Sequence, residues 1–405
     1  MLTRRSLLAT ATAAGAMSMW DAPLKMAFAN VPTEQRFVVV ILRGALDGLA
    51  AVPAHGDPDY ASVRGDLALQ KTGNHPLLDL NGQFGLHPSL SGMKAMWDAK
   101  ELTVLHNIGS AYHDRSHFDA QNILESGGKG PHVLSDGWLN RALKPMGLAD
   151  GEGALAVAST PPLILDGKAK ATSWMPAALP EPDAAFLARV RALYKHDARL
   201  ASALDRAIAT EAKAAAAMDD TPKSGMDMRM RAGYGDVTPL FSGAGTLLAN
   251  AGGPRVAVLD VGGWDTHVNE GAGDGQLARR LRALDQGLVA LKASLGPMWG
   301  KTAVLAVTEF GRTVAPNGSQ GTDHGTAGAA FLLGGAVAGG AVMADWVGLK
   351  PAALQDGRDL PVRTDMRALF KAVLGDHMRV ASRELEATIF PDSAEVLPLK
   401  GLFRA

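Results

Sequence analysis

Three continuous apolar runs, each closing on an acid, constrain this chain more than any other feature. The run 36–42 leads into Arg43-Gly44-Ala45-Leu46-Asp47-Gly48. The run 255–259 leads into Asp260-Val261-Gly262-Gly263-Trp264-Asp265-Thr266-His267, and the run 302–307 into Thr308-Glu309-Phe310-Gly311-Arg312. Strands without polar alternation are buried on both faces, the pattern of a parallel sheet covered by helices. We therefore expect an α/β fold with a mostly parallel central sheet and helices on both faces. Such sheets carry their sites beyond the carboxyl ends of the strands. Asp, His and Glu delivered there from distant segments point to ligands of a divalent metal converging on one rim.

The first residues give an address. Thr3-Arg4-Arg5-Ser6-Leu7-Leu8 precedes an apolar stretch, and Ala27-Phe28-Ala29 offers a cleavage site. Residues 1–29 thus read as a twin-arginine signal, with the twin-arginine translocase as a partner during export to the periplasm or beyond. The chain has no cysteine, so disulfides and thiolate-bound metals are excluded. Losing Arg4, Arg5, Lys25 and Asp21 with the signal moves the net charge from −1 to −3. That balance gives no reason to expect a nucleic-acid partner. The remaining residues, 30–405, suit one large α/β domain. The uncharged stretch 325–344 is too rich in glycine for a membrane helix and reads as two strands around a glycine turn. Residues 183–218 carry helical periodicity and read as a helical insertion, either a cap over the site or a plain hairpin. With the polar stretch 219–237 they interrupt the sheet pattern.

Asp265-Thr266-His267 lets a carboxylate and an imidazole approach one cation from an extended loop, with Trp264 as a shield. Asp323 and His324 add a second acid–imidazole pair before a buried strand, although Asp-x-Gly is also ordinary turn chemistry. Glu309 suits a second cation, with Asp47 as its natural partner. Arg312 and Arg43 suit the oxygens of an anionic substrate, or internal ion pairs. Ser116 stands where a helix begins, so it is either a nucleophile favoured by the helix dipole or a plain N-cap. His117 beside it either ligates, positions substrate or faces solvent.

These residues lie in a recurring order: Arg43-Gly44-x-x-Asp47-Gly48, Arg115-Ser116-His117-Phe118-Asp119-Ala120-Gln121, Gly262-Gly263-Trp264-Asp265-Thr266-His267, Thr308-Glu309-Phe310-Gly311-Arg312-Thr313 and Gly321-Thr322-Asp323-His324-Gly325. Behind a twin-arginine signal, that order resembles the domain of unknown function 1501 family, grouped with the alkaline phosphatase-like and sulfatase-like superfamily. The resemblance implies that superfamily's fold and two metal ions flanking a nucleophile. It assigns Asp265, His267 and His324 to the first ion, Asp47 to the second, and Ser116 to the nucleophile. Superfamily members often carry Asp-His where this chain has Glu309-Phe310, so one imidazole is missing and His117 is its candidate replacement. One or two ions of zinc, manganese or calcium are the implied cofactors.

The expected function is an exported metal-dependent hydrolase or transferase of phosphate or sulfate esters, with a serine or metal-activated hydroxide as nucleophile. A small anionic ester or an envelope polysaccharide is the substrate class. The alternative is a non-catalytic envelope protein that keeps the fold and partners another secreted protein. A peptidase is disfavoured, since no His-Glu-x-x-His sequence is present.

Overall fold

A computed structural model describes residues 33–175, 183–217 and 236–404. The expected signal at 1–29 lies outside them, as does all of 219–237 except its last two residues.

The strands are β1 (Arg36–Arg43), β2 (Leu78–Asp79), β3 (Gly85–Leu86), β4 (Leu102–Gly109), β5 (Asp150–Val157), β6 (Lys170–Ser173), β7 (Val256–Gly262), β8 (Thr302–Val307), β9 (Gly328–Leu333), β10 (Ala341–Met343) and β11 (Thr364–Asp365). β2 and β3 form a small hairpin. The others build one nine-stranded sheet in the order β10-β4-β9-β8-β1-β7-β5-β6, with β11 also on β4. The three acid-ended runs are β1, β7 and β8, side by side and parallel. Ile41 pairs with Asp260 on one side and Val307 on the other, so their carboxyl ends are level. The sheet as a whole is mixed, which corrects the mostly parallel expectation. β9 runs antiparallel to both β4 and β8.

Side-chain alternation on β1 explains why the run carries no polar residue. Val38, Val40 and Leu42 enter one core, while Phe37, Val39 and Ile41 enter the other. Both faces are dry, and each fully buried Val or Leu contributes about 1.5–3 kcal/mol. Helices cover both faces, as expected. Among the described residues the α-helices of four or more residues are α1 (Gly48–Ala51), α2 (Tyr60–Arg64), α3 (Ser91–Asp98), α4 (His117–Ser126), α5 (Trp138–Leu143), α6 (Ala184–Tyr194), α7 (Ala198–Ala217), α8 (Thr238–Ala249), α9 (Gln276–Leu295) and α10 (Met366–Ala372). α9 buries Leu277, Leu281, Leu284, Leu288, Leu291 and Leu295, a single helical stripe, against the first core. On the opposite face Trp138 of α5 stacks on Phe370 of α10, with ring centroids 4.8 Å apart.

Helices α6 and α7 lie in the stretch 183–218 that carries the helical periodicity. α7 packs on β6 and α8, at one edge of the sheet. The uncharged stretch 325–344 holds β9 and β10, in line with the glycine argument. Among the described residues no helix is long and apolar enough to cross a membrane.

Candidate metal centre

The loops that leave β1, β7 and β8 are tied together at their first residues. The Thr308 hydroxyl donates to the Leu42 carbonyl at 2.7 Å and accepts from the Leu46 amide at 3.1 Å. Gly44, at φ +117°, donates its amide to Glu309 Oε1 at 2.9 Å. Its backbone lies so close to the Asp265 amide that a Cβ there would stand 2.7 Å from that nitrogen. Glycine is needed here for its φ and for this approach.

Beyond this junction four side chains converge. His117 Nε2 lies 2.9 Å from His324 Nε2, and His267 Nε2 lies 3.0 Å from the same atom. Asp265 Oδ1 is 3.0 Å from His267 Nε2 and 3.3 Å from His324 Nε2, and Asp265 Oδ2 is 3.5 Å from His117 Nε2. The donor atoms of His117, Asp265 and His324 all lie within 4.8 Å of one another. Tetrahedral ligands at zinc-like bond lengths stand about 3.4 Å apart, close to the separations among these three residues.

The other ring nitrogens explain the aim. His117 Nδ1 meets Glu309 Oε1 at 2.8 Å, His267 Nδ1 meets Asp323 Oδ1 at 3.2 Å, and His324 Nδ1 meets the Arg115 carbonyl at 2.9 Å. All three partners are acceptors, which favours the hydrogen on Nδ1 of each neutral ring and an Nε2 lone pair turned inward. Burial would raise the Glu309 pKa. Hydrogen bonds from His117, Gln121 and the Gly44 amide outweigh it and hold the group below its ordinary value. Asp323 is held low by Asn317 first, then by His267, against slight burial. Both carboxylates are therefore ionised near neutrality. Bare Nε2 lone pairs at 2.9 and 3.0 Å repel, and a cation or a shared proton relieves them. Histidines oriented this way by carboxylates and carbonyls are the usual arrangement behind a bound metal. The His117 pKa is raised, chiefly by its hydrogen bond to Glu309, while burial and then the neighbouring His117 and Arg312 charges lower that of His324.

Asp265 is half exposed, and Arg312 Nη1 donates to its Oδ1 at 2.5 Å. Burial opposes its ionisation, but Arg312, then His267 and His117, keep its pKa below the ordinary carboxylate value. Two imidazoles and one carboxylate, with a third imidazole beside them and no thiolate, are a donor set suited to zinc or manganese.

The predicted residues thus separate into three groups. Asp265, His267, His324 and His117 converge, and the His117 ring packs against Phe310, with centroids 4.9 Å apart. Glu309, Asp323 and Arg312 stand behind them. Glu309 is buried and its oxygens are occupied by Gly44, Gln121, His117 and Thr308. It orients His117 instead of facing a second ion. Arg312 is buried, bound to Asp265 and to both the hydroxyl and the carbonyl of Thr322, so it has no arm for a substrate.

Asp47, Arg43 and Ser116 contribute no donor atom to the convergence. Asp47 is fully buried, caps α1 through the Ala50 amide, and pairs with Arg64 at 2.7 Å. It is not the partner of Glu309. Arg43 pairs with Glu125 at 2.8 Å and with Asp260 at 3.0 Å. Ser116 precedes α4 but makes no side-chain capping bond, and its hydroxyl lies beside the Tyr112 phenol. Trp264 turns into the core, donating to the Val261 carbonyl, and does not shield the loop. Sequence reasoning missed Glu270, Gln121, Asn317 and Thr322. Glu270 follows the Asp265-Thr266-His267 motif by three residues and precedes a glycine. A charged residue in that position was the one available signal.

Fold and site together define an α/β protein with a candidate divalent-metal centre at the carboxyl ends of its central strands. The chain belongs to the family described as protein of unknown function (DUF1501), which it matches over residues 34–389. No curated protein matches it. Among solved structures it is similar to the zinc-bound C-terminal periplasmic domain of EcEptC from Escherichia coli. That likeness has 10% identity and a TM-score of 0.37, and covers 75% of this chain and 74% of that one. A TM-score that low carries no argument about the site.

Proposed function

We propose that this chain is an exported, divalent-metal-dependent hydrolase or transferase acting on phosphate or sulfate esters. The observation that carries the reading is the gathering of the His117, Asp265 and His324 donor atoms within 4.8 Å of one another, with His267 Nε2 3.0 Å from both Asp265 and His324 and each ring met from behind by an acceptor. His117, His267, His324 and Asp265 would hold the ion. A divalent cation there supplies Lewis-acid stabilisation of developing negative charge and lowers the pKa of a neighbouring hydroxyl or water. The ester class rests on the resemblance of the motif order to a family grouped with the alkaline phosphatase-like superfamily, and export on Thr3-Arg4-Arg5-Ser6-Leu7-Leu8.

The chain's own residues have separate tasks. Glu309, Asp323 and the Arg115 carbonyl fix the tautomers. Arg312 keeps Asp265 ionised. Ser116 is the candidate nucleophile, since its hydroxyl is not spent on capping and the amino end of α4 favours an anionic substrate. It would attack phosphorus or sulfur, expel the ester alcohol, and yield the substituted serine to water or to an acceptor alcohol.

A second reading is a metal-holding envelope protein without catalysis. It is favoured by the ion pairs that already occupy Arg43 and Arg312. Elemental analysis of the purified mature chain, with a screen of phosphate and sulfate esters and Ser116→Ala as control, separates the two. Bound metal with turnover lost in Ser116→Ala supports the enzyme. Bound metal without turnover favours the second reading. A metal-replete preparation that holds no divalent ion overturns both.

A further inference from the structure

Glu270 lies outside the donor cluster and is entirely buried. Its Oε2 accepts from the Thr266 hydroxyl at 2.9 Å and from the Thr322 hydroxyl at 2.7 Å. Thr266 sits between Asp265 and His267, and Thr322 stands two residues before His324. One carboxylate oxygen thus holds both loops that deliver these candidate ligands. The contact is extended on the donor side. Arg312 Nε reaches the same Thr322 hydroxyl at 3.1 Å, while its Nη1 holds Asp265. Backbone bonds run alongside, from the Glu270 amide to the Gln320 carbonyl at 3.0 Å and from the Thr322 amide to the Thr266 carbonyl at 3.2 Å. The far side of the carboxyl, Oε1, faces the Asp47 carboxyl, and Arg64 Nη2 stands 4.0 Å from it. A carboxyl buried beside a second acid is costly to keep.

We infer that Glu270 is a positioning residue that clamps the Asp265–His267 and His324 loops to one another and so presets the spacing of the donor cluster. The inference rests on the metal-centre reading, and acts through Thr266 and Thr322 with no contact to the ion. Glu270→Gln preserves the clamp, because its amide oxygen accepts both hydroxyl hydrogens while its NH2 group faces Asp47. Glu270→Leu removes it at similar volume.

The test is hydrogen exchange on the metal-free mature chain, followed by titration with zinc alone. Glu270→Leu is expected to raise exchange in both 265–270 and 320–326, with β1 and β8 protected as before, and to weaken zinc by about 10- to 100-fold. Glu270→Gln is expected to restore both. Thr322→Val added to Glu270→Leu is expected to change little, since the two act through one bond. Wild-type exchange in Glu270→Leu, or a Glu270→Gln variant as loose as Glu270→Leu, overturns the inference. If Glu270→Leu does not fold, the Thr266→Val/Thr322→Val pair takes its place. Loosening of both segments there supports the clamp, and wild-type exchange overturns it. A wild-type chain that binds no zinc removes the metal centre, yet the exchange result still decides the clamp.

Discussion

Glu270→Gln has a second consequence, which depends on charge and not on geometry. Asp47, Arg64 and Glu270 are closed off from water with two carboxyls for one guanidinium. Burial tends to raise the Asp47 pKa, but Arg64 at 2.7 Å outweighs it and keeps the group low. Glu270 has no such contact. Burial, and then the Asp47 charge, push it from 4.5 up to about 8. The folded chain therefore keeps a proton that the unfolded chain has already released. The sign follows from linkage: the stability conferred by this group is complete below about pH 4.5 and is lost as pH rises through about 8. At about 1.4 kcal/mol per unit, the loss is about 3 kcal/mol at pH 7 and approaches 5 kcal/mol at pH 9. The glutamine amide that replaces the carboxyl has nothing to ionise. Urea unfolding of the metal-free mature chain from pH 5 to pH 9, wild type against Glu270→Gln, isolates the effect because every other titrating group is common to both. The two should agree within about 1 kcal/mol at pH 5, and the variant should be about 3–5 kcal/mol more stable at pH 9. A difference that stays constant with pH, or one that favours wild type as pH rises, would refute the charge argument.

Three more perturbations test the arrangement. Glu309→Gln removes the anionic acceptor of His117, so the imidazolium loses support and its pKa falls; ring-proton NMR of the metal-free chain should show His117 titrating at lower pH than in wild type, and an unmoved titration contradicts the assigned contact. Gly44→Ala puts a side chain at φ +117° and a Cβ 2.7 Å from the Asp265 amide, so thermal unfolding should show a loss of about 1–3 kcal/mol, and an unchanged midpoint would mean the three loop exits are not packed as described. Arg312→Met leaves Asp265 without its cation and the Thr322 carbonyl without its donor; a loss of about 2–4 kcal/mol in urea unfolding is expected, and a neutral result would show that this buried arginine holds nothing in place.

The sequence by itself determined the strands, the rim and most of the side chains that meet there. Continuous apolar runs report burial on both faces, and burial is a local property that β1, β7 and β8 carry in their own residues. The rim followed, because loops leaving the carboxyl ends of neighbouring parallel strands have to meet. Strand direction was not legible. A buried antiparallel strand such as β9 is as uniformly apolar as its parallel neighbours, and only its pairing with β4 and β8 distinguishes it. Partner choice was hidden for the same reason. Asp47 reads as a free acid until Arg64, 17 residues on, is placed against it. Arg312 reads as a substrate clamp until its guanidinium is found turned inward onto Asp265 and Thr322. His117 and Glu309 meet across 192 positions, and His117 and His324 across 207. Residue type states what a side chain can bond to. Which of several equally suitable partners it meets is decided by chain crossings that only the assembled sheet brings about.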